Sequence, residues 1–326
     1  MNILFISAGR RVELVQEFIK IIRSKNIQSR VICADMNEFA PALFFADHSY
    51  TIPAINSPEY IPALLKICID EQVKLIIPTI DTELNIVLQH QNFFKSIGSE
   101  VLISSEETLT ISNNKMETYR FFKSLGLKTP ESYSSGEERE FPYPIFIKPI
   151  SGSASINTFK VKDHKELEFL KAYIGDYIVQ EFIGGEEYTI DVFCDFKGNP
   201  IYITPRIRLA TRSGEVLKTR INHEVELEKQ VLKIIQALKP KGPMTIQAIR
   251  KDTDQEYYFI EINARFGGGC PLSMKAGANS AEALFSLLQG QNVDSEYRAA
   301  KNGLVFLRFD QSIMLEQRAD GSYGQN

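Results

Sequence analysis

The stretch YYFIEINAR, which ends at Arg265, holds the densest group of side chains that could carry chemistry. We predict a strand here. Because side chains alternate between the two faces of a strand, Glu261 and Asn263 share one face and Arg265 lies one step further along it. If the hairpin with the preceding strand is centred on Asp254, Gln247 lies directly opposite Glu261. A carboxylate and two amide oxygens grouped in this way suit Mg²⁺ that holds phosphates, and Arg265 is close enough to meet transferred charge. The alternative is an ordinary polar strand face.

A second stretch, IFIKPISGSAS, combines a lysine with a loop of small residues. Its apolar strand ends in Lys148. The small residues that follow allow backbone N–H groups to approach a phosphate, while the lysine adds a point charge. A serine and glycine hairpin loop without a ligand is the alternative. The loop residues are Ser151, Gly152, Ser153, Ala154 and Ser155.

A third stretch, VQEFIGGEEYTID, has the features of a purine nucleoside site. Glu181, Phe182 and Ile183 can present backbone groups and an apolar wall to a purine. Two glycines then turn the chain. Glu187 begins the next strand, where its carboxylate can accept hydrogen bonds from both ribose hydroxyls. A glycine hairpin flanked by solvated acids is the alternative.

Arginines and glycines elsewhere could hold an anionic substrate. The stretch PRIRLATRSGEV supplies Arg206, Arg208 and Arg212, and a guanidinium pairs well with a carboxylate or a phosphate. In the run of three glycines after Phe266, Gly268 allows the backbone to approach a phosphate closely. Alternatively, the run is a tight turn into the next helix.

Strands and helices alternate over the first hundred residues. Continuous apolar runs separated by helical spacing predict a parallel sheet that is covered on both faces. Ligands bind beyond the carboxyl ends of the strands in such sheets. Here those ends carry two arginines, which can hold an anion, and three acids, which can hold an amino group. Surface ion pairing or helix capping is the alternative. The residues are Arg10, Arg11, Asp35, Asp81 and Glu83.

The pattern changes near residues 105–112, where the α/β unit gives way to a mixed α+β unit in which strands dominate. Lys115 lies on a predicted helix that Ser112 or Asn113 can cap. Several apolar runs with the short spacing of strands follow. The chain is therefore expected to contain two different kinds of folded unit.

Composition excludes several classes of protein. The 326 residues are 44% hydrophobic and include 37 Lys and Arg against 41 Asp and Glu, so no basic excess points to nucleic acid or an anionic membrane. No apolar run reaches the ~18 residues of a membrane span. The four cysteines lack C-x-x-C spacing and fit a reducing cytoplasm. P-loop, serine-hydrolase and zinc-protease motifs are absent from the sequence.

The order of these stretches resembles the ATP-grasp superfamily. Lys115 on its helix, Lys148 before the small-residue loop, EFIGGEEY, Gln247 and EINAR follow one another as in carbamoyl-phosphate synthase large-chain domains and related carboxylate–amine ligases. PTIDTEL, from Pro78, and RFGGGCP, from Arg265, also look like stretches of stand-alone members. The resemblance covers nearly the whole chain, and the first unit is similar to the domain that precedes the grasp in that family.

The resemblance implies an ATP site. Lys115 and Lys148 are then expected to contact the phosphates, and the small-residue loop is expected to be mobile and to fold over them. Adenine is expected to bind along Glu181, Phe182 and Ile183, largely through the backbone, and the ribose at Glu187.

The resemblance also implies a metal site and two catalytic residues. Glu261 and Asn263 are expected to bridge Mg²⁺ ions, with Mn²⁺ as the alternative metal, and Gln247 to bind the second ion. Many relatives have an acid at the position of Gln247, so the second metal is expected to bind more weakly here. Arg265 and Lys148 are the expected catalytic residues, with Arg265 stabilising negative charge during transfer.

The expected architecture is an N-terminal parallel-sheet α/β domain over residues 1–109 and a two-lobed α+β ATP-grasp domain. The small lid covers residues 110–179, the C-terminal lobe covers residues 180–310, and residues 311–326 form a polar tail. The expected activity is ADP-forming ligation of a small-molecule carboxylate, an amino acid or peptide-like compound, to an amine. A kinase on this fold and a nucleotide-binding regulatory protein with little turnover are the alternatives. Neither nucleic acid nor membrane is an expected partner, and the resemblance suggests a cytoplasmic homodimer.

Overall fold

A computed structural model of the chain describes residues 1–137, 139–152, 156–318, 321 and 323–324. The chain divides into two units. Unit 1 comprises Met1–Ile103, Ala281–Phe285 and Arg308–Asn326, and unit 2 comprises Ser104–Ser280 and Ser286–Leu307.

Unit 1 is built on a five-stranded parallel sheet with the order β3-β2-β1-β4-β5. β1 and β2 are buried almost throughout because helices cover the sheet, as the continuous apolar runs predict. The predicted parallel-sheet domain is confirmed. The strands are β1 (Asn2–Ile6), β2 (Val31–Asp35), β3 (His48–Thr51), β4 (Val73–Pro78) and β5 (Glu100–Val101), and the helices are α1 (Val12–Ser24), α2 (Tyr60–Asp70), α3 (Asp81–Gln89) and α4 (Gln91–Ser96).

The first part of unit 2 contains a four-stranded antiparallel sheet with the order β6-β9-β7-β8. Asn114 caps the helix that begins at Lys115, because its Oδ1 accepts hydrogen bonds from the backbone N–H groups of Met116 and Glu117. The cap lies one residue later than expected, because the preceding residues form a helix of their own. The elements are α5 (Glu106–Asn113), α6 (Lys115–Ser124), β6 (Ser132–Ser134), β7 (Ile145–Pro149), β8 (Phe159–Val161), α7 (His164–Ile174) and β9 (Tyr177–Glu181).

The second part of unit 2 contains a six-stranded antiparallel sheet with the order β14-β13-β10-β11-β12-β15. Its elements are β10 (Gly185–Cys194), β11 (Pro200–Arg212), β12 (Glu215–Ile221), α8 (Val225–Leu238), β13 (Gly242–Lys251), β14 (Tyr257–Asn263), α9 (Cys270–Lys275), α10 (Ser280–Leu288) and β15 (Val305–Leu307). Two short paired strands, β16 (Glu316–Gln317) and β17 (Tyr323–Gly324), belong to unit 1.

The two faces of the six-stranded sheet differ in character. One face contributes Ile190, Ile203 and Ile246 to a buried core, together with Val231 and Ile234 of α8. Cross-strand partners in an antiparallel sheet share a face. The register pairs Gln247 with Glu261 and with Thr189, Thr189 with Arg206, and Thr245 with Asn263, which places all six on the other, polar face. The predicted register of Gln247 opposite Glu261 is confirmed.

The described helices are short relative to the thickness of a lipid bilayer or too polar to cross one. None of them is both long enough and apolar enough to cross a membrane.

Candidate active site

Asn263 lies at the centre of a hydrogen-bonded row that runs from Glu261 on β14 to Arg265 just beyond the strand. Asn263 Nδ2 donates to Glu261 Oε1 at 3.3 Å, and Arg265 Nη2 donates to Asn263 Oδ1 at 2.9 Å. Arg265 Nη1 also donates to the carbonyl of Phe266 at 3.2 Å. With Gln247 opposite Glu261, this arrangement gathers one carboxylate and two amide oxygens beside a guanidinium. Such hard oxygen donors are the kind that bind Mg²⁺.

Lys148 lies on β7, in the other sheet of unit 2, and its ammonium is within electrostatic range of the carboxylate of Glu261. The side chain is 8% exposed. Burial lowers the pKa of the Lys148 ammonium to about 8; the charge of Glu261 opposes this shift, and the charge of Lys115 adds to it. β7 and β14 therefore place a buried cation within range of the charge of a carboxylate, although more than a hundred residues separate the two in the sequence.

Lys115 connects the start of α6 to the segment after β7. Its Nζ donates to the carbonyl of Gly152 at 2.7 Å, and its backbone N–H donates to the carbonyl of Ile150 at 3.0 Å. Ser151 and Gly152 are exposed. The other predicted loop residues, Ser153, Ala154 and Ser155, lie outside the described residues.

Phe182 lies in a small aromatic and cationic group beyond β9. The ring of Phe146 stacks beside it, with centroids 6.3 Å apart, and Lys160 Nζ lies 3.8 Å from the centroid of the Phe182 ring. Lys160 was not predicted from the sequence. The register of β7 and β8 pairs it with Phe146, so only the strand pairing identifies it. Ile183, next along the chain, is buried.

The two predicted nucleoside acids have different surroundings. Glu181 Oε1 lies 3.5 Å from Lys251 Nζ, and the backbone N–H of Glu181 donates to the carbonyl of Glu131 at 2.9 Å. Glu187 is more open, with a side chain that is 51% exposed, and its Oε2 lies 3.6 Å from Arg208 Nη1. Glu187 is therefore the more accessible of the two carboxylates.

Arg206 is an internal residue, which corrects the expectation that it faces substrate. Its side chain is 1% exposed, and its Nε donates to Asp191 Oδ2 at 2.7 Å. Ser273 Oγ donates to the same oxygen at 2.6 Å. A Cβ on Gly269 would lie only 2.7 Å from Arg206 Nη2, so the backbone of the glycine run closes over the guanidinium.

The glycine run is the turn that leads into α9. The backbone N–H of Cys270 donates to the carbonyl of Gly267 at 3.0 Å, which supports the tight-turn alternative. A Cβ on Gly267 would lie 2.6 Å from Thr245 Oγ1, so close approach also requires glycine there. Gly268, between these two, is half-buried.

Arg208 and Arg212 lie further along β11. Arg208 Nη1 donates to Gln247 Oε1 at 3.3 Å, and its Nη2 donates to the carbonyl of Gly214 at 2.6 Å. Arg212 is exposed at the end of the strand, where the register places it opposite Glu215. Of the three predicted arginines, Arg208 is thus the one in contact with the Gln247 and Glu261 row.

In unit 1, two of the predicted acids at the carboxyl ends of the strands accept hydrogen bonds from neighbouring backbone groups and from Ser7. Asp35 Oδ2 accepts from the backbone N–H of Gly9 at 2.7 Å. Glu83 accepts from Ser7 Oγ at 2.5 Å and from the backbone N–H of Thr79 at 2.7 Å at the start of α3. Burial raises the pKa of Glu83 to about 7, and these hydrogen bonds oppose the shift.

Helix capping therefore accounts for Glu83, and the expectation that it holds an amino group is corrected. Arg11 Nη2 donates to the carbonyl of Thr79 at 3.0 Å, whereas Arg10 is exposed. Asp81 is half-buried at the first position of α3.

Two family models match the chain. Residues 3–102 match a PylC-like N-terminal domain, and residues 112–269 match an ATP-grasp domain. The chain belongs to the ATP-grasp superfamily. The predicted resemblance to this superfamily is confirmed by the two matches.

Relatives of this ATP-grasp chain are ligases. The 3-methyl-D-ornithine--L-lysine ligase of Methanosarcina barkeri is 27% identical over 274 residues, which cover 83% of this chain and 70% of that protein. The D-alanine--D-alanine ligase of Fusobacterium nucleatum is 28% identical over 183 residues, which cover 53% of this chain and 61% of that protein. The predicted ATP-grasp carboxylate–amine ligase is confirmed at the level of the family.

A solved structure supports the ATP-grasp fold. The biotin carboxylase domain of Hydrogenobacter thermophilus 2-oxoglutarate carboxylase, a dimer solved with MgADP, ADP and bicarbonate, gives a TM-score of 0.74 at 15% identity. The match covers 93% of this chain and 73% of that chain.

Proposed function

We propose that this chain uses ATP and Mg²⁺ to join the carboxylate of an amino acid or peptide-like compound to an amine, releasing ADP and phosphate. The observation that carries the proposal is the hydrogen-bonded row of Glu261, Asn263 and Arg265, with Gln247 opposite Glu261 and the buried Lys148 within range of the charge of Glu261. A cation for phosphate, oxygen donors for metal and a guanidinium for developing charge are thereby assembled from separate parts of unit 2.

The nucleotide contacts follow from the surroundings of each residue. Lys148 and Lys115 bind the phosphates. Phe182, with Ile183 beside it, provides the apolar surface for adenine, and Lys160 lies over the same ring. The exposed carboxylate of Glu187 accepts hydrogen bonds from the ribose hydroxyls. Ser151 and Gly152 are exposed and therefore accessible to phosphate oxygens.

The chemistry of the donor set fits a magnesium ion. Glu261 offers a carboxylate, and Gln247 and Asn263 offer amide oxygens, all of which are hard ligands. Only one of these donors is anionic, so the phosphates of the nucleotide complete the charge balance. Bound Mg²⁺ supplies neutralisation of the negative charge on the transferring phosphoryl group.

The reaction begins with a carboxylate, which is a poor electrophile because its negative charge repels an incoming amine. A carboxylate oxygen attacks the γ-phosphorus, the bond to the ADP oxygen breaks, and an acyl phosphate forms. Lys148 holds the γ-phosphate during this transfer. The amine then attacks the acyl carbon, phosphate leaves, and Arg265 stabilises the oxyanion of the tetrahedral intermediate.

An acyl phosphate can be trapped, which gives a direct test. We expect incubation with ATP, Mg²⁺, hydroxylamine and single amino acids from a panel to yield a hydroxamate of at least one of them, without a second substrate. The control omits ATP. A stable phosphorylated product that hydroxylamine does not consume would instead identify a kinase, and nucleotide binding without ADP release would identify a regulatory protein.

The pKa of Lys148 predicts a pH dependence. Because a neutral amine holds phosphate less well than an ammonium, we expect kcat/KM for ATP to fall as pH rises through about 8, by about tenfold for each further pH unit. The measurement is kcat/KM between pH 6.5 and 9.5 in the wild type and in Lys148→Arg. A guanidinium stays charged over this range, so the variant has a lower but flat profile. The same fall in both proteins would assign the titration to another group.

The substrate and assembly proposals rest on the family. We propose small-molecule carboxylate and amine substrates, a homodimer and a cytoplasmic location. Arg212 and Gly268 remain proposed substrate contacts, and so do Arg10 and Asp81 of unit 1. Alanine substitution at Arg10, followed by measurement of KM for the carboxylate, tests the unit 1 contact.

A further inference from the structure

Arg208 is held in a defined position beside Gln247. Ser213 and Gly214 have positive φ values of 49° and 77° and form the two-residue turn between β11 and β12. This turn directs the carbonyl of Gly214 at Arg208 Nη2, 2.6 Å away. Arg208 Nη1 then lies 3.3 Å from Gln247 Oε1 and 3.6 Å from Glu187 Oε2. The guanidinium is thus anchored by the hairpin rather than by a flexible contact.

A guanidinium has only donors, so the Gln247 atom that faces Arg208 must be the amide oxygen. That oxygen is also the atom that a metal ion would need. The same relation recurs on β14, where Arg265 Nη2 donates to Asn263 Oδ1 at 2.9 Å. Both amide oxygens of the proposed metal site therefore already accept hydrogen bonds from arginine.

Among the named members of the site, cations outnumber carboxylates. The hydrogen bonds, ion pairs and charge interactions that connect its members join four cations to two carboxylates. The cations are Lys115, Lys148, Arg208 and Arg265, and the carboxylates are Glu187 and Glu261. Together these six groups repel a free divalent cation, whereas a metal that arrives with a triphosphate carries net negative charge and is attracted.

We propose that Arg208 prevents free divalent cations from binding at Gln247, so that the metal enters the site only together with the nucleotide. The inference rests on the proposed function, because it takes Gln247 and Glu261 as metal ligands. Its consequence is an order of binding: the fixed charge of Arg208 favours the metal–nucleotide complex over the metal alone. Arg208 is then a positioning residue, and the substrate contact expected for it from the sequence is replaced by this role.

The test measures binding of Mn²⁺ to the full chain by electron paramagnetic resonance, without nucleotide and with a saturating non-hydrolysable ATP analogue. Even with the dielectric screening of water, a doubly charged ion about 6 Å from a guanidinium is repelled enough to change its affinity about tenfold. We expect Arg208→Met to lower the dissociation constant of free Mn²⁺ by at least about tenfold. In the presence of the analogue the gain should disappear, because the phosphates already neutralise the ion.

Three further variants isolate the cause. Arg208→Lys keeps the charge and should bind free Mn²⁺ as weakly as the wild type. Arg220→Met removes an exposed arginine of β12 whose register partner, Ile207, belongs to the apolar core face, and it should also match the wild type. Combining Arg208→Met with Gln247→Met removes the oxygen itself and should abolish the gain.

The outcomes separate this inference from the proposed function. If Arg208→Met folds but binds free Mn²⁺ no more tightly than the wild type, the inference is wrong. If Arg208→Met does not fold, Arg208→Gln also removes the charge, and its affinity for free Mn²⁺ is compared with that of the wild type in the same way. If Glu261→Gln leaves Mn²⁺ binding in the presence of the analogue unchanged, the metal site itself is misassigned and the proposed function fails first.

Discussion

Glu261→Gln is expected to lower the rate of ATP-dependent turnover by about 10³-fold while leaving the fold intact, a loss at the upper end of those seen when one electrostatic stabiliser is removed. Glu261 is the anionic member of the proposed metal ligands, and the substitution keeps its shape while removing its charge. The measurement is ADP release with saturating Mg²⁺, accompanied by thermal unfolding to establish that the fold persists.

The same variant gives a second, independent result. The charge of Glu261 raises the pKa of Lys148 against the effect of burial, so its removal should move that pKa below about 8. The residual activity or analogue binding should therefore fall at lower pH than in the wild type. Glu256→Gln is the matched control, because Glu256 is exposed just before β14. Full turnover in Glu261→Gln would mean that the active site lies elsewhere.

Arg206→Met is expected to destabilise unit 2 by about 3–5 kcal/mol, the range for breaking a buried ion pair by removing one partner. Asp191 would keep its charge in a buried position with Ser273 as its remaining hydrogen-bond partner among those the structure shows. The free energy of unfolding, obtained from urea titration, is the measurement.

Two comparisons make the origin of that loss clear. Adding Asp191→Asn to Arg206→Met removes the uncompensated charge and should recover a large part of the stability. Arg220→Met, at an exposed position, should change the free energy of unfolding by less than about 0.5 kcal/mol. A loss below about 1 kcal/mol in Arg206→Met would show that the pair is dispensable for folding.

Elements with strong local patterns were predictable. The helix Val225–Leu238 has apolar residues at helical spacing, and its bounds agree with the sequence pattern. β3 and β12 carry weaker signals. β3 is largely exposed and polar, and the apolar residues of β12, Val216, Leu217 and Ile221, do not alternate regularly with its polar ones. Such strands are stabilised by pairing with a neighbour, which a local pattern does not contain.

Arg206 and Arg208 show, within the site, the same difference between what the local sequence predicts and what tertiary packing decides. The two residues lie two positions apart on one face of the same strand, so their sequence neighbourhoods are almost identical. Both were predicted to contact substrate. Packing separates them, because the glycine turn before α9 covers Arg206 whereas the β11–β12 hairpin holds Arg208 against Gln247. Their different partners come from segments that are distant along the chain.

The amino-acid sequence alone was sufficient for the family, the parallel sheet of unit 1 and the shared face of Glu261 and Asn263, because strand periodicity and short motifs are local properties. It was not sufficient for the neighbours of those groups. Three features depend on separate strands or sheets coming together. They are the interaction of Lys148 with the charge of Glu261, the burial of Arg206 and the hydrogen bond from Arg208 to Gln247. Such contacts exist only when the strands are paired and the sheets are packed, since charge and burial depend on distances in space rather than along the chain.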